Sequence, residues 1–405
     1  MKKVLIWDCF PLANTGGPAG YLYNIYRYLQ AHPSDQLRFL SDIWKIKQIP
    51  EKNKHISFFT RIKNRIMRII GIESYFFRRN KILDFTLRQF SLPLESYPSV
   101  DLINEYDFIH FHSIVDFARF KSTYTTYQGK TILTSHCPCP VVDEMLTYWE
   151  PFCKPYRSKA LVQECKCYAE ADYLMFPCAE AREPYEKEVA IKKTFSKEES
   201  KFFYVPSAIL DIEIDKETIQ KYAELGIPEE TFVITYFGRH NFIKGYDVLK
   251  EVGKRLLDKY PNMYFLCAGV GELKPLEHER WLELGFIKNA HELMYQSDLY
   301  ILPNRETYFD LVVLENLRSG VPMIMSDTGG NKHFKKYPKD EVEGLSFYED
   351  GDIKSLIEKV EYFIQLKKQD RDAYTMLRNK NRQLYLKYFT IGYYIDNYIN
   401  EINKL

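Results

Sequence analysis

The stretch Gly238-Arg-His-Asn-Phe-Ile-Lys-Gly245 decides the fold, because it joins the strand-like run Phe232-Val-Ile-Thr-Tyr-Phe237 to an amphipathic helical pattern. A strand that enters a helix through a glycine-flanked loop presents backbone N–H groups and the positive end of the helix dipole to an anion. Arg239 and Lys244 add two cations of different geometry. The stretch therefore predicts an α/β unit with an anion site in this loop. Two solvated surface charges are the alternative.

Similar apolar runs alternate with helical patterns along the whole chain, which predicts parallel sheets covered by helices. The predicted strands are Val4–Trp7, Phe108–Phe111, Thr131–Thr134, Tyr173–Phe176, Phe202–Val205, Phe232–Phe237, Met263–Cys267, Leu299–Leu302 and Pro322–Met325. A chain of 405 residues exceeds the size of one hydrophobic core. We predict an N-terminal domain over residues 1–210, a C-terminal domain over 211–385, and a final helix over 386–405 that packs back on the first domain.

The overall charge and the lengths of the apolar runs limit the partners and the location that we expect. Lysine and arginine number 56 against 55 aspartates and glutamates, so the formal charge of +1 gives no overall attraction to nucleic acid. The apolar run in Met1–Trp7 is too short for a signal peptide. No run approaches the ~18 uncharged apolar residues of a transmembrane helix. We expect a cytoplasmic protein with reduced thiols and no nucleic-acid partner.

Residues 54–88 depart from this neutral background, with nine lysines and arginines and only two acids, Glu73 and Asp84. On a helical wheel Arg61, Arg65 and Arg68 share one side, and apolar residues share the other. This pattern is typical of a helix on an anionic membrane surface. A helix packed on the N-terminal sheet gives the same pattern. A peripheral contact with the inner face of a membrane is therefore one of two open alternatives.

The cysteines are unevenly placed, since six of the eight lie between Cys137 and Cys178. The close pairs in this cluster are of the type Cys-x-Cys, whereas structural zinc favours Cys-x-x-Cys. Free cysteines are also ordinary small hydrophobic residues in cytosolic cores. We expect no metal ion and no cofactor, although this cluster is the one place where the sequence leaves a metal site open.

We call the stretch from Gly238 to Gly245 the cation loop. Several short motifs follow it in a fixed order. They are Phe265-Leu-Cys-Ala-Gly-Val-Gly271, Leu284-Gly-Phe-Ile287, Glu306-Thr-Tyr-Phe-Asp-Leu-Val-Val-Leu-Glu315 and Asp327-Thr-Gly-Gly330. The paired glycines stand where backbone turns tightly or passes close to a ligand. This order and spacing are more specific than any one motif. At these residues the sequence resembles the retaining, nucleotide-sugar-dependent glycosyltransferases of family 4 (group 1), most strongly over residues 232 to 350.

The resemblance implies an α/β protein of GT-B fold, with two Rossmann-like domains whose parallel sheets face a central cleft. The C-terminal domain would hold the nucleotide sugar and the N-terminal domain the acceptor. In such folds ligands gather at the carboxyl ends of the strands, where the loop with Arg239 would lie.

The resemblance also implies roles for individual residues on the donor side. Arg239 and Lys244 match the pair that grips the donor's diphosphate, and would neutralise it as the sugar–oxygen bond breaks. Glu315 matches the second acid of the family's Glu-x7-Glu motif, which accepts hydrogen bonds from the ribose hydroxyls. Phe286 and Ile287 align with the segment that lies against the base.

The first acid of that motif is where the sequence departs from the family. Thr307 stands at the usual acid position, and Glu306 is one residue early. A bulged turn would bring Glu306 to the sugar as a catalytic acid; otherwise Thr307 makes the hydroxyl contact. Phe309, Asp310 and Leu311 would offer backbone N–H groups to the sugar, and Asp310 replaces a frequently small residue. We therefore expect an unusual donor sugar.

In the N-terminal half, Gly16 and Gly17 resemble the family's Gly-Gly loop, where backbone approaches the donor phosphate or the acceptor. A simple turn is the alternative. His112 matches a family position at the end of a strand. His136 matches the histidine expected to contact the transferred sugar or the acceptor hydroxyl. A satisfied structural histidine is the alternative for His136.

The resemblance implies an enzyme that needs no metal ion or cofactor and transfers a sugar from a nucleotide diphosphate to a hydroxyl of a glycan or lipid-linked acceptor, with the anomeric configuration retained. Surface polysaccharide or glycoconjugate synthesis is the expected setting. The alternative is a non-catalytic GT-B subunit or glycan-binding partner of another glycosyltransferase, which the displaced first acid favours. A nicotinamide-dependent dehydrogenase is excluded because Gly269-Val-Gly271 lacks the third glycine of the dinucleotide motif.

Overall fold

A computed structural model describes residues 1–8, 12–13, 17–44, 98–146, 154–212, 221–287 and 290–405. The strands of the first sheet are β1 (Val4–Trp7), β2 (Leu37–Phe39), β3 (Phe108–Phe111), β4 (Lys130–Leu133), β5 (Tyr173–Phe176) and β6 (Phe202–Tyr204). Their order is β2-β1-β3-β4-β5-β6, and the pairs from β2 through β5 are parallel. Parallel neighbours of this kind need crossover connections, and helices supply them between several of these strands.

The second sheet is also parallel. Its strands are β7 (Phe232–Phe237), β8 (Met263–Ala268), β9 (Trp281–Glu283), β10 (Leu299–Leu302), β11 (Met323–Ser326) and β12 (Leu345–Tyr348). The order β12-β11-β10-β7-β8-β9 puts β7 and β10 in the centre. All four residues of β10, and five of the six in β7, are buried, as expected for strands covered on both faces.

The helices alternate with these strands. They are α1 (Gly17–Ala31), α2 (Leu40–Ile43), α3 (Val100–Ile103), α4 (Ile114–Thr123), α5 (Val141–Leu146), α6 (Lys154–Glu170), α7 (Glu183–Glu186), α8 (Val189–Lys197), α9 (Lys221–Glu224), α10 (Tyr246–Lys259), α11 (Ala290–Gln296), α12 (Leu311–Ser319), α13 (Ile353–Gln369), α14 (Arg371–Tyr388) and α15 (Ile391–Lys404). Short 3₁₀ helices cover Ala179–Arg182, Glu199–Lys201 and Gly329–Lys336. The alternation predicted from the sequence is confirmed.

The chain divides into two compact units. The first unit comprises residues 1–11, 33–175 and 185–203, and the second comprises 12–32, 176–184 and 204–405. In the first unit an aromatic cluster forms around Trp7, whose ring centroid lies 5.5 Å from that of Phe111 and 5.2 Å from that of Phe120. The domain boundaries predicted at residues 210 and 385 stay predictions.

Within the second unit, the early helix α1 packs against α15. The ring of Tyr21 meets that of Tyr394 edge-on, with centroids 5.8 Å apart, and their hydroxyls are hydrogen-bonded. Asn24 Oδ1 accepts a hydrogen bond from Leu210 N at 2.9 Å. Tyr21 and Tyr394 are both buried, so this contact closes part of the unit's core.

Two expectations concern residues outside this description. The basic segment 54–88, with its proposed membrane contact, lies outside the described residues, and so does Gly16. Gly17 is the first residue of α1 and has a φ of 61°. Among the residues that the structure describes, no helix combines the length and apolar character needed to cross a membrane.

Candidate functional site

The carboxyl edge of the second sheet gathers most of the predicted donor-side residues. Because β7 to β11 are parallel, the loops that follow them leave the sheet at the same edge. Arg239 and Lys244 follow β7, Phe286 and Ile287 follow β9, and Thr307 follows β10. Helix α12 also starts at this edge, directly after Asp310. We call this group of loops the edge site.

The cation loop between β7 and α10 is held by side chains beneath it. The buried Tyr236 donates its hydroxyl hydrogen bond to the carbonyl of Arg239 at 2.8 Å, with the carbonyl of Lys244 3.4 Å away. Asn241 Oδ1 accepts a hydrogen bond from Lys244 N at 2.9 Å. The Arg239 side chain is exposed, whereas that of Lys244 is 20% exposed. The loop thus has a fixed backbone and presents two cations at different depths.

Arg305, in the loop after β10, ties the cation loop to the start of α10. Its guanidinium donates to both carboxylate oxygens of Asp247 at 2.7 and 2.8 Å and to the carbonyl of Phe242 at 2.7 Å. The same guanidinium lies 3.7 Å from the centroid of the Phe242 ring. Such bidentate and stacked contacts need the planar fork of arginine. Arg305 therefore positions the loop that carries Arg239 and Lys244.

Lys244 is paired with Asp310 across the edge site. The ammonium nitrogen lies 2.8 Å from each carboxylate oxygen of Asp310, and the Asn304 amide donates to the same carboxylate. Asp310 is the N-cap residue of α12, yet its carboxylate makes no capping hydrogen bond and faces Lys244 instead. One of the two predicted diphosphate cations is therefore partly neutralised from within the chain.

Two buried polar atoms of the same loop lack hydrogen-bond partners among the described residues. They are Asn304 Oδ1 and Thr307 Oγ1, and both residues are completely buried. A buried polar group left without a partner costs about 1–3 kcal/mol. Glu306 is half-buried beside them. Two such atoms in one loop are uncommon in a folded protein.

The paired glycines are required by backbone packing. A Cβ at Gly329 would lie 2.2 Å from the carbonyl oxygen of Thr307, and one at Gly330 would lie 1.9 Å from that of Tyr308. Likewise, a Cβ at Gly269 would lie 1.9 Å from the carbonyl oxygen of Gly238. The glycines let neighbouring loops of the edge site touch each other.

His240, in the cation loop, is buried against the ring of Tyr246. The two rings are stacked with centroids 4.0 Å apart and an interplanar angle of 6°. Burial lowers the pKa of His240, and Glu283, with its carboxylate 3.7 Å from Nε2, opposes that shift. His240 fixes the loop backbone because His240 N donates to the carbonyl of Val270 at 3.1 Å.

Exposed apolar side chains line the loops on the other half of the edge. Phe242, Val270 and Phe286 follow β7, β8 and β9, and their exposed fractions are 60%, 63% and 67%. Ile287, beside Phe286, packs against the small core cluster that contains Val233 and Leu266. Exposed aromatic side chains next to the cation loop offer a surface on which a flat ring can stack.

The remaining donor-side predictions fall on or beside α12. Glu315 is half-buried on the second turn of this helix, and burial raises the pKa of its carboxyl while the nearby Arg318 opposes the shift. Phe309 is buried against Phe334, with ring centroids 5.5 Å apart, so its side chain belongs to the core. The N–H groups of Leu311 and the next residues have no partner inside the helix, as at every helix start.

In the first unit, the two histidines predicted on the acceptor side are hydrogen-bonded to each other. His112 directly follows β3 and His136 lies three residues beyond β4, at neighbouring strand ends. The distance from His112 Nδ1 to His136 Nε2 is 2.9 Å. His110, inside β3, contacts Thr134 Oγ1 at 2.7 Å through Nε2. Burial lowers the pKa of His110 and of His136 to about 3, and that of His112 also falls well below its usual value.

Because these histidines are buried and neutral, we predict that the free energy of unfolding falls in mild acid. The unfolded chain binds protons at its histidines near pH 6.5, whereas folded His110 and His136 stay neutral down to about pH 3. Between these values the unfolded state binds more protons, so the free energy of unfolding should fall by up to about 1.4 kcal/mol per pH unit for each histidine. Urea unfolding from pH 7 to pH 5 measures the slope. His110→Gln should flatten it, and equal slopes for the variant and the original protein would contradict the prediction.

Three residues of the edge site have no role in the sequence-based prediction. They are Asn304, Arg305 and His240, and they contact Asp310, Asp247 and Tyr246, respectively. The only sequence signal was position: Asn304 and Arg305 directly follow a buried strand whose carboxyl end faces the edge.

The comparisons with known proteins agree with this geometry. A family model described as Glycosyl transferases group 1 matches residues 231–365. The glycogen synthase of Clostridium kluyveri is 30% identical over 168 residues, which are 37% of this chain and 35% of that protein. The UDP-Gal:alpha-D-GlcNAc-diphosphoundecaprenol alpha-1,3-galactosyltransferase of Escherichia coli is 28% identical over 189 residues, or 42% and 47% of the two chains. The chain thus spans less than half the length of each of these relatives.

Among solved structures, HepE of Anabaena in complex with UDP-glucose is similar to this chain, with a TM-score of 0.61 and 14% identity. The match covers 100% of both chains. At this identity the likeness defines the fold alone. The α/β fold of GT-B type, with two Rossmann-like units, is confirmed. The match to the group 1 glycosyl transferase model, over residues 231–365, contains the edge site.

Proposed function

We propose that the protein is a retaining glycosyltransferase that moves a sugar from a nucleotide diphosphate sugar to a hydroxyl group. The observation that carries the proposal is the edge site, where Arg239 and Lys244 lie in the loop that joins β7 to α10, at the carboxyl edge of the second sheet. A diphosphate offers negative charge to these cations. HepE, which shares the fold, binds UDP-glucose. Uridine nucleotides are therefore the first donors to test.

In this proposal Arg239 and Lys244 hold the diphosphate without a divalent ion. An ammonium group has three N–H donors, and Asp310 occupies two of them on Lys244. The third can reach a phosphate oxygen. As negative charge develops on the leaving group, these fixed cations stabilise it more than they stabilise the bound donor.

The rest of the donor is assigned to the neighbouring loops. Phe286 and Ile287 lie against the base, and Glu315 accepts hydrogen bonds from the ribose. The N–H groups at the start of α12, from Phe309 to Leu311, bind sugar hydroxyls. Glu306 or Thr307 contacts the sugar at the family's first acid position, and of the two Glu306 is half-buried whereas Thr307 is completely buried.

We assign acceptor binding to the first unit, where His112 and His136 are uncharged at neutral pH. A neutral imidazole can accept a hydrogen bond from the attacking hydroxyl, and the leaving phosphate oxygen then takes its proton. The name of the Escherichia coli relative states a diphosphoundecaprenol-linked acceptor. By analogy we propose a glycan or lipid-linked acceptor in surface polysaccharide synthesis, met at the cytoplasmic face of a membrane with residues 54–88 in peripheral contact.

A non-catalytic binding subunit is the second candidate. The observation in its favour is the Lys244–Asp310 ion pair, which reduces the positive charge available to a diphosphate. Both candidates predict nucleotide-sugar binding, so binding alone does not separate them.

Donor hydrolysis without acceptor separates them. We expect one member of a panel of nucleotide sugars to raise the melting temperature, since a ligand at 100 times its Kd stabilises the folded state by about 2.7 kcal/mol. The same donor should be slowly hydrolysed, and NMR of the transfer product should show retained anomeric configuration. Binding without hydrolysis or transfer would instead identify the non-catalytic subunit. Stabilisation by no nucleotide sugar would contradict both.

A further inference from the structure

A second cluster of polar side chains joins two segments of the second unit. Cys178 precedes the 3₁₀ helix Ala179–Arg182, Glu180 lies within it, and His333 lies in the 3₁₀ helix Gly329–Lys336. The thiol sulfur, one carboxylate oxygen and one imidazole nitrogen all lie within 4.8 Å of one another. We call these three residues the thiol cluster. They lie outside the edge-site residues described above.

Two atoms of the thiol cluster have lone pairs available. Glu180 Oε2 and His333 Nδ1 are buried and have no hydrogen-bond partner among the described residues. The opposite atom of each group is engaged: Lys336 Nζ lies 2.6 Å from Glu180 Oε1, and the Tyr337 hydroxyl lies 3.1 Å from His333 Nε2. Outer contacts of this kind orient metal ligands, and when Nε2–H donates to the Tyr337 hydroxyl, Nδ1 carries the lone pair that binds the metal.

We propose that Cys178, Glu180 and His333 bind one zinc ion. A sulfur, a nitrogen and a carboxylate oxygen form a donor set that Zn²⁺ accepts, whereas Mg²⁺ and Ca²⁺ require oxygen ligands. Zinc bonds are about 2.0–2.3 Å long in tetrahedral geometry, so ligand atoms should lie about 3.3–3.8 Å apart. Closing the cluster from 4.8 Å needs side-chain movements of about 1 Å. Three protein ligands leave the fourth position to water.

Zinc binding here should release one proton. A free cysteine is largely protonated at pH 7, whereas zinc binds the thiolate. The Cys178 thiol therefore loses its proton to the buffer as the Zn–S bond forms.

The ion would cross-link the segment 176–184 to the 3₁₀ helix Gly329–Lys336. The same two segments already share one polar link, because Glu183 accepts hydrogen bonds from Gly329 N at 3.2 Å and from Lys332 Nζ at 2.9 Å. The zinc ion is separate from the proposed diphosphate, whose counter-charges are Arg239 and Lys244. Its presence does not depend on the proposed transfer reaction.

Calorimetric titration of the chelator-treated full chain with ZnCl₂ tests the proposal. We expect one ion per chain, and titrations in two buffers of different ionisation enthalpy should give one proton released. Cys178→Ser should weaken binding at least 100-fold, whereas Cys165→Ser, which removes a half-buried thiol in α6, should leave it unchanged.

Cobalt substitution gives an independent readout. Co²⁺ bound to the full chain should show a thiolate-to-cobalt charge-transfer band that Cys165→Ser retains and that Cys178→Ser loses. Circular dichroism of Cys178→Ser shows whether the isosteric variant is folded. Equal zinc affinity of Cys178→Ser and the original protein, or no zinc bound by the original protein, would overturn the proposal. His333→Gln provides the second variant if Cys178→Ser does not fold, and it should lose the same affinity.

Discussion

Replacing Lys244 with alanine is expected to lower kcat/KM for glycosyl transfer by about 10²- to 10³-fold, the usual effect of removing one group that stabilises developing charge. The structure gives a reason for the upper end of this range. Lys244 is the partner of Asp310, so its removal leaves a 19% exposed carboxylate with one cation fewer beside the proposed diphosphate. Steady-state transfer assays with the donor identified by thermal shift measure the effect.

Two variants control this experiment. Lys254→Ala removes an exposed lysine on α10, ten residues further along the chain, and should leave transfer unchanged. The double variant Lys244→Ala, Asp310→Asn should recover part of the loss, because it removes the unpaired charge together with its partner. Arg239→Ala should also be strongly impaired. Near-normal transfer by either Arg239→Ala or Lys244→Ala would refute the diphosphate assignment.

Replacing Asp310 with asparagine is expected to tighten the binding of free nucleoside diphosphate by at least about tenfold. At an effective dielectric constant of about 20, two unit charges about 6 Å apart repel by about 3 kcal/mol. Loss of the Lys244 contact costs less, since pairs that are partly exposed contribute about 0–1 kcal/mol. The repulsion between the carboxylate and the diphosphate therefore dominates. Calorimetry with the nucleoside diphosphate, at two salt concentrations, measures the change.

The same variant separates two roles for the carboxylate. If Asp310 only lowers diphosphate affinity, transfer by Asp310→Asn should become limited by slower product release, and the nucleotide sugar should also bind more tightly. If Asp310 contacts the donor sugar, the diphosphate should bind more tightly while the nucleotide sugar does not. Unchanged or weaker binding of the diphosphate would contradict the electrostatic account. Asp340→Asn, on an exposed turn, is a control for a general change in net charge.

The sequence predicted the central strands well and the edges poorly. The strands β7 and β10 are central, buried on both faces and continuous in apolar residues, so their pattern is unambiguous. The strands β2, β9 and β12 were missed, and each is an edge strand of its sheet. They are three or four residues long and partly exposed, and so mix polar with apolar positions. Short edge strands are stabilised by their neighbours rather than by their own composition.

In the edge site, too, features formed by residues close in the sequence were predicted, whereas contacts between distant residues were not. The cation loop could be recognised because strand, glycine, cations and helix are contiguous. The partner of Lys244 lies 66 residues away, and Arg305 lies 58 residues from Asp247, so no local pattern reveals either contact. The glycine pairs were recognised as points of close approach, but the approaching group is the backbone of a neighbouring loop. Which group approaches each glycine depends on tertiary packing, and the spacing of residues in the sequence does not reveal it.

The packing of α1 against α15 has a consequence for the order of folding during synthesis. Tyr21 leaves the ribosome 373 residues before Tyr394. Domains generally fold as the chain emerges, N-terminal parts first. Here the apolar face of α1 has to stay without its native cover until α15 is made. A chaperone that binds apolar helices would therefore have its longest opportunity at α1, while the first sheet is already able to form.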